Sequence, residues 1–149
     1  MAAVDGGARV INMSLGGYGE SHIMRQAVRY ATDRGTVMVA AAGNDGVSEL
    51  VFPARYDDVL AVAAVDAAGQ HLHVSNRGDE VDVAAPGVAV VAAGAEGKGA
   101  LFSGTSAAVP FVSGMIAALL SMDPALSPRQ AADILLGNTD DYGVPGEDQ

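Results

Sequence analysis

With 149 residues, half of them apolar and 17% charged, the chain has the length of one domain and the composition of a packed one rather than a disordered tail. A formal net charge of −10 argues against nucleic acid and against anionic membrane surfaces, both of which are held by clustered Lys and Arg. The absence of cysteine removes disulfides, thiolate metal sites and cysteine nucleophiles.

The opening residues 2–7 read as a helix end entering a strand, and no charged segment followed by an apolar run marks a signal peptide there. Residues 9–14 predict a short buried strand, closed by Gly16 and Gly17. Ser21 offers an N-cap to a helix with Ile23, Met24, Ala27, Val28 and Ala31 on one face. Arg25, Arg29 and Asp33 take the opposite face, and Gly35 supplies the stop. The β-branched run at 36–41 has no polar alternation, as expected of a strand covered on both faces of a parallel sheet. Strand, helix and strand make a βαβ unit.

Residues 59–65 predict a third buried strand, and 81–85 and 88–92 two shorter ones separated by Pro86 and Gly87. His71 and His73 are read as polar residues on the solvated face of a short strand, where i and i+2 point the same way. From Thr105 the pattern is helical and apolar nearly all round, which predicts a helix buried in the domain centre. Its run at 107–122 is broken by Pro110, Ser113 and Gly114 and falls short of the ~18 residues that span a bilayer. A last helix is announced by Ser127 and Pro128, with Ile134 and Leu135 on its apolar side. The residues from 140 to 146 are turn-rich, and both chain ends read as cuts within one domain spanning 1–149.

Ser106 is the candidate for chemistry. It stands at the start of the buried helix, where unpaired N–H groups and the positive end of the dipole favour a developing oxyanion. Gly104 allows close backbone approach, and the small Ala107 and Ala108 leave the hydroxyl reachable. Gly94-Ala95-Glu96-Gly97-Lys98-Gly99 lacks the Gly-Lys-Ser/Thr ending of a phosphate loop, so a nucleotide enzyme is not indicated.

The stretch Gly104-Thr105-Ser106-Ala107-Ala108-Val109-Pro110 resembles the nucleophile motif Gly-Thr-Ser-(Met/Ala)-Ala-x-Pro of the subtilisin-like peptidases, or subtilases. Phe111 departs from the His that usually follows that Pro, a His outside the catalytic triad. Ala41-Ala42-Gly43-Asn44 and Ser14-Leu15-Gly16-Gly17 are similar to two further blocks of the family, in its order. Phe52-Pro53-Ala54 and Val83-Ala84-Ala85-Pro86-Gly87 match two structural landmarks between them, and the resemblance runs over about residues 10–136.

The resemblance implies a three-layer α/β fold, a mostly parallel sheet with helices on both faces, incomplete at its N-terminal side. It implies that Ser106 is the nucleophile and that the Asn44 amide joins the Ser106 N–H in an oxyanion hole. Ser14, Leu15, Gly16, Ala41, Ala42, Gly43 and Thr105 would line the substrate cleft. Subtilases place their triad in the order Asp, His, Ser. Neither the family's Asp-(Ser/Thr)-Gly turn nor its His-Gly-Thr motif occurs here, and Asp5, His22, His71 and His73 do not fit them. The expected partners are a peptide or protein substrate and an N-terminal half supplying Asp and His, without which the chain is expected to be inactive. No cofactor is required. The carbonyls of Ala54, Tyr56 and Val59, with Glu80 and Asp82, resemble a weak structural site for calcium or a monovalent cation. Family tendency suggests an extracellular or cell-envelope location. The alternative is a non-catalytic, subtilase-like peptide-binding module.

Overall fold

The computed structural model of the chain describes residues 1–140, so the turn-rich stretch read at the C-terminus lies, beyond Asp140, outside the described residues. Four parallel strands form the central sheet: β1 (Val10–Met13), β2 (Val37–Ala41), β3 (Val59–Val65) and β4 (Val83–Pro86), side by side in that order. Helices α1 (Ala2–Asp5) and α2 (His22–Thr32) precede β1 and β2, and α3 (Thr105–Met122) and α4 (Pro128–Leu136) follow the sheet.

Alternation within the central strands divides the core into two halves. Val39, Ala41, Leu60, Val62 and Ala64 face one side, against Ala108, Val109, Val112 and Ile116 of α3 and Ala131, Ala132 and Leu135 of α4. Met38, Ala40, Val59, Ala61 and Ala63 face the other, against Val4, Val28, Ala31, Leu50, Ala54 and Tyr56. Because both faces are covered, neither β2 nor β3 shows the polar alternation of a half-exposed strand. The three-layer α/β arrangement agrees with the expected class.

Local signals set the helix ends. Ser21 Oγ accepts from the Met24 amide at 3.4 Å at the start of α2. Helix α4 has Pro128 in its first turn and a capping box in which Ser127 and Gln130 satisfy each other's backbone.

Several expectations need correction. The fourth strand lies at Val83–Pro86 rather than 81–85. The run at 88–92 is not a buried strand of the sheet. Its residues enter β5 (Val90–Ala93), which pairs antiparallel with β6 (Gly99–Phe102) in a separate ribbon, leaving Val91 74% and Leu101 69% exposed. The chain leaves the sheet after Pro86, where the Gly87 amide makes a last bond to the Val65 carbonyl at 2.9 Å. Helix α3 is buried on one side only: Phe111, Met115 and Met122 are exposed, since the described residues place nothing over them. It also reaches 18 residues and is apolar enough to cross a membrane, yet its buried side packs on the sheet as a core helix does. Ile23 and Ile134, read as core-facing, are exposed. His71 lies in a turn that touches Val65 through a single bridge, and both His71 and His73 are exposed without forming a strand.

The half-buried state of α3 has a direct consequence. Ile116→Ala should cost about 2–5 kcal/mol, as large-to-small changes in a packed core do. Met115→Ala, one position along, should stay within about 0.5 kcal/mol. Urea denaturation of the two variants checks the contrast.

Candidate active site

Three segments meet where β1, β2 and α3 end or begin: Ser14 just past β1, residues 41–44 at the end of β2, and the first turn of α3. Ligands bind at this carboxyl edge in open α/β sheets. Gly104 enters the helix at φ 119°, a value that glycine adopts freely, and a Cβ there would stand 2.8 Å from Asn44 Oδ1.

The Thr105 amide donates to Asn44 Oδ1 at 2.8 Å, and Thr105 Oγ1 donates to the same oxygen at 3.1 Å. A backbone N–H can face only the oxygen of a carboxamide, so the orientation of Asn44 is fixed. Its Nδ2 therefore points elsewhere and donates to no group among the described residues. At the helix start the Ala107 amide bonds to the Gly104 carbonyl at 3.0 Å, whereas the Ser106 N–H has no such partner among the described residues. Asn44 Nδ2 and the Ser106 amide are thus two unspent donors, and both residues are exposed.

Ser106 Oγ itself donates to the Ser14 carbonyl at 3.3 Å. The return contact, from Ser14 Oγ to the Ser106 carbonyl, is 2.9 Å. It exists because Pro110, four residues along, has no N–H to offer that carbonyl in the helix ladder. Asn12 steadies the contact, donating from Nδ2 to Ser14 Oγ at 2.9 Å and accepting from Ser113 Oγ at 3.0 Å. Neither Asn12 nor Ser113 was singled out from sequence, for the bond between them spans 101 residues of chain.

The structure brings together Ser14, Asn44, Thr105 and Ser106, with Leu15 and Gly16 exposed beside them. Ala41, Ala42, Gly43 and Thr105 are buried, so their side chains are not presented at the surface beside Ser106. The landmarks have packing roles. Gly17 and Phe52 exchange backbone bonds of 3.0 and 2.9 Å. The Gly104 amide donates to the Gly87 carbonyl at 2.8 Å, so close that a Cβ on Gly87 would meet Gly104 O at 2.9 Å. Sequence reading also missed Asn76, which is wholly buried behind the loop carrying Asn44.

The cation candidates offer oxygen donors only, a set suited to a hard cation. Part of that capacity is already engaged: the Tyr56 carbonyl accepts from the Val59 amide at 2.8 Å, and Asp82 Oδ2 accepts from the Ala61 amide at 2.7 Å. Glu80 lines a groove with Tyr56, Asp57 and Asp58, shared with Arg25 and Arg55. No group of three or more His, Cys, Asp or Glu side chains poised for a metal occurs among the described residues.

Partial desolvation raises the Asp82 pKa above the ordinary carboxylate value, against the lowering effects of the Ala61 hydrogen bond and the Arg129 charge. The folded state therefore binds this proton more tightly than the unfolded chain. The Asp82 contribution should fall as pH rises through the carboxylate range and stay low above it. Asp82→Asn, which keeps an acceptor for Ala61, should remove that fall. Urea midpoints of both proteins between about pH 4 and 6 measure it.

The model of the subtilase family matches residues 1–149. The chain is 47% identical over 119 residues to a thermophilic serine proteinase of Bacillus sp. (strain AK1), covering 80% of this chain and 30% of that one. It is 41% identical over 145 residues to subtilisin DY of Bacillus licheniformis, covering 95% of this chain and 53% of the relative. The solved structure of the prenylagaramide maturation protease PagA superposes with a TM-score of 0.89 at 34% identity, over 95% of this chain and 55% of that one. The chain thus spans at most about half the length of these proteins, and over that span it belongs to the subtilase family of serine peptidases.

Proposed function

We propose that the protein carrying this chain is a serine endopeptidase of the subtilisin type, with Ser106 as nucleophile. The observation that carries this reading is the tie between Thr105 and Asn44, which leaves Asn44 Nδ2 and the Ser106 amide unspent beside the hydroxyl. Ser106 Oγ attacks the scissile carbonyl while a base takes its proton. The carbonyl electron pair moves to oxygen, and the oxyanion accepts from Asn44 Nδ2 and the Ser106 N–H. Collapse breaks the C–N bond, the base returns the proton to the leaving amine, and water hydrolyses the acyl-enzyme. The backbone of Ser14, Leu15 and Gly16 is placed to pair with an extended peptide as a further strand does.

The base belongs to the part of the domain that supplies Asp and His. In this chain the Ser106 proton rests on the Ser14 carbonyl, which cannot take it. A serine without its base is a weak nucleophile. In subtilisin itself, losing the His costs nearly as much as losing the whole triad. The chain alone is therefore proposed to be inactive, and residues 1–149 to be part of one peptidase domain. No cofactor is needed for this chemistry. Ala54, Tyr56, Val59, Glu80 and Asp82 would hold at most a structural cation. The location proposed from family tendency is extracellular or in the cell envelope.

The second reading is a peptide-binding module, favoured by the one contact in which Ser106 Oγ meets a carbonyl rather than a base. A fluorophosphonate probe separates the two. The chain alone should not be labelled, whereas the chain combined with its Asp- and His-bearing half should be, and Ser106→Ala should abolish labelling. Asn44→Ala should lower kcat by about 10²–10³, the cost known for the corresponding donor of subtilisin. A folded protein that stays unlabelled with both halves present supports the module instead.

A further inference from the structure

The position of Asn44 is fixed from two directions. Thr105 holds its side chain, as described above. Its main chain is held by a residue 32 positions further on, which touches neither Ser106 nor the cleft surface. Asn76 is 0% exposed, and its amide and both polar atoms of its side chain are engaged with the loop that follows β2. The Asn76 amide donates to the Gly43 carbonyl at 3.0 Å. Asn76 Oδ1 accepts from the Asp45 amide at 2.8 Å and from the Val47 amide at 3.4 Å. Asn76 Nδ2 donates to the Glu49 carbonyl at 2.8 Å and to Tyr18 Oη at 3.3 Å.

Gly43 and Asp45 flank Asn44. One buried residue therefore grips the carbonyl before the oxyanion donor and the amide after it. We propose that Asn76 is a positioning residue for the reaction, clamping the peptide groups on either side of Asn44 so that its Nδ2 stays aimed beside Ser106. The proposal rests on the peptidase reading above and adds to it a residue that never meets the substrate.

The side-chain chemistry suits the task. The loop presents two amides that need an acceptor and a carbonyl that needs a donor, and one carboxamide supplies both. Aspartate has no donor for Glu49, and serine is too short to reach both sides. The fit is close enough to dictate Gly43, where a Cβ would stand 2.3 Å from Asn76 Nδ2. Tyr18 extends the clamp to the surface: its hydroxyl donates to Asp45 Oδ2 at 2.8 Å, on the residue next to Asn44.

The test is a double-mutant cycle on the full-length protein, with Asn76→Ala made in the wild-type and Asn44→Ala backgrounds. Peptide p-nitroanilide hydrolysis is the readout. A clamp acting through Asn44 predicts a loss of about 10–100-fold in kcat with KM within about threefold. With Asn44 already removed, the further loss should be below about twofold. Equal losses in both backgrounds, or a change in KM alone, overturn the proposal, because a merely structural role lowers both backgrounds alike. Should Asn76→Ala fail to fold, Asn76→Ser takes its place with the same expectations.

If the wild-type protein shows no Ser106-dependent turnover, the peptidase reading has failed, and the clamp is judged by NMR of the Asn44 carboxamide. Nδ2 proton shifts displaced from those of a free asparagine, which move to the free-asparagine positions in the Asn76 variant, support it. Signals unchanged by the substitution overturn it.

Discussion

The hydrogen bond from the Thr105 amide to Asn44 Oδ1, 2.8 Å long, is the constraint on which the site depends. It joins the end of β2 to the start of α3, two elements 61 residues apart in the chain. It also decides what each group can still do. Thr105 spends its orphan helix donor, Asn44 spends its oxygen, and the next amide and the Asn44 nitrogen remain for a ligand. A helix N-terminus alone would offer several donors in competition with water. Here one is tied back to the protein, and the remaining pair has a defined direction. Such preorganisation makes fixed dipoles effective in catalysis, since no reorientation is needed as charge develops.

The surrounding packing serves to hold that bond in place. Gly16 lies so near Val51 that a Cβ would come within 2.3 Å of its side chain, which locks the strand segment after β1 to the loop after β2. Gly87 and Gly104 meet backbone to backbone just before the first turn of α3. The alanines of β2, β3 and α3 bring helix and sheet close together, with Ala41, Ala64 and Ala108 meeting in one buried cluster. Glycine and alanine are frequent in this chain where backbones meet closely. Larger side chains there would push the three segments apart and separate Asn44 from Thr105.

Much of this was legible in the amino-acid sequence, for identifiable reasons. The bounds of β3 were read correctly because a doubly buried strand is a continuous apolar run between polar turns. The final helix was legible through Ser127 and Pro128, whose capping chemistry is local. Ser106 and Asn44 stood out because short motifs surround them. What stayed hidden depends on contacts across the chain. Strand β6 is four residues of Gly, Ala, Leu and Phe with no strong periodicity, and only its pairing with β5 defines it. The exposed side of α3 is as apolar as its buried side, so composition could not tell which was covered. Asn76 sits in a polar loop where an asparagine is ordinarily solvated. Its partners include Tyr18, 58 residues away, and backbone atoms that no side-chain pattern announces.

The central claim is that Asn44 and the Ser106 amide form an anion site set before any substrate arrives. The most direct measurement is a crystal structure of the full-length protein with a peptidyl boronic acid, which forms a tetrahedral adduct on an active serine. The account predicts boron bonded to Ser106 Oγ, with one adduct oxygen at about 2.7–3.1 Å from both Asn44 Nδ2 and the Ser106 amide nitrogen. The Thr105–Asn44 hydrogen bond should persist unchanged. An adduct oxygen directed to solvent, or an Asn44 side chain that leaves Thr105 when the inhibitor binds, would contradict it.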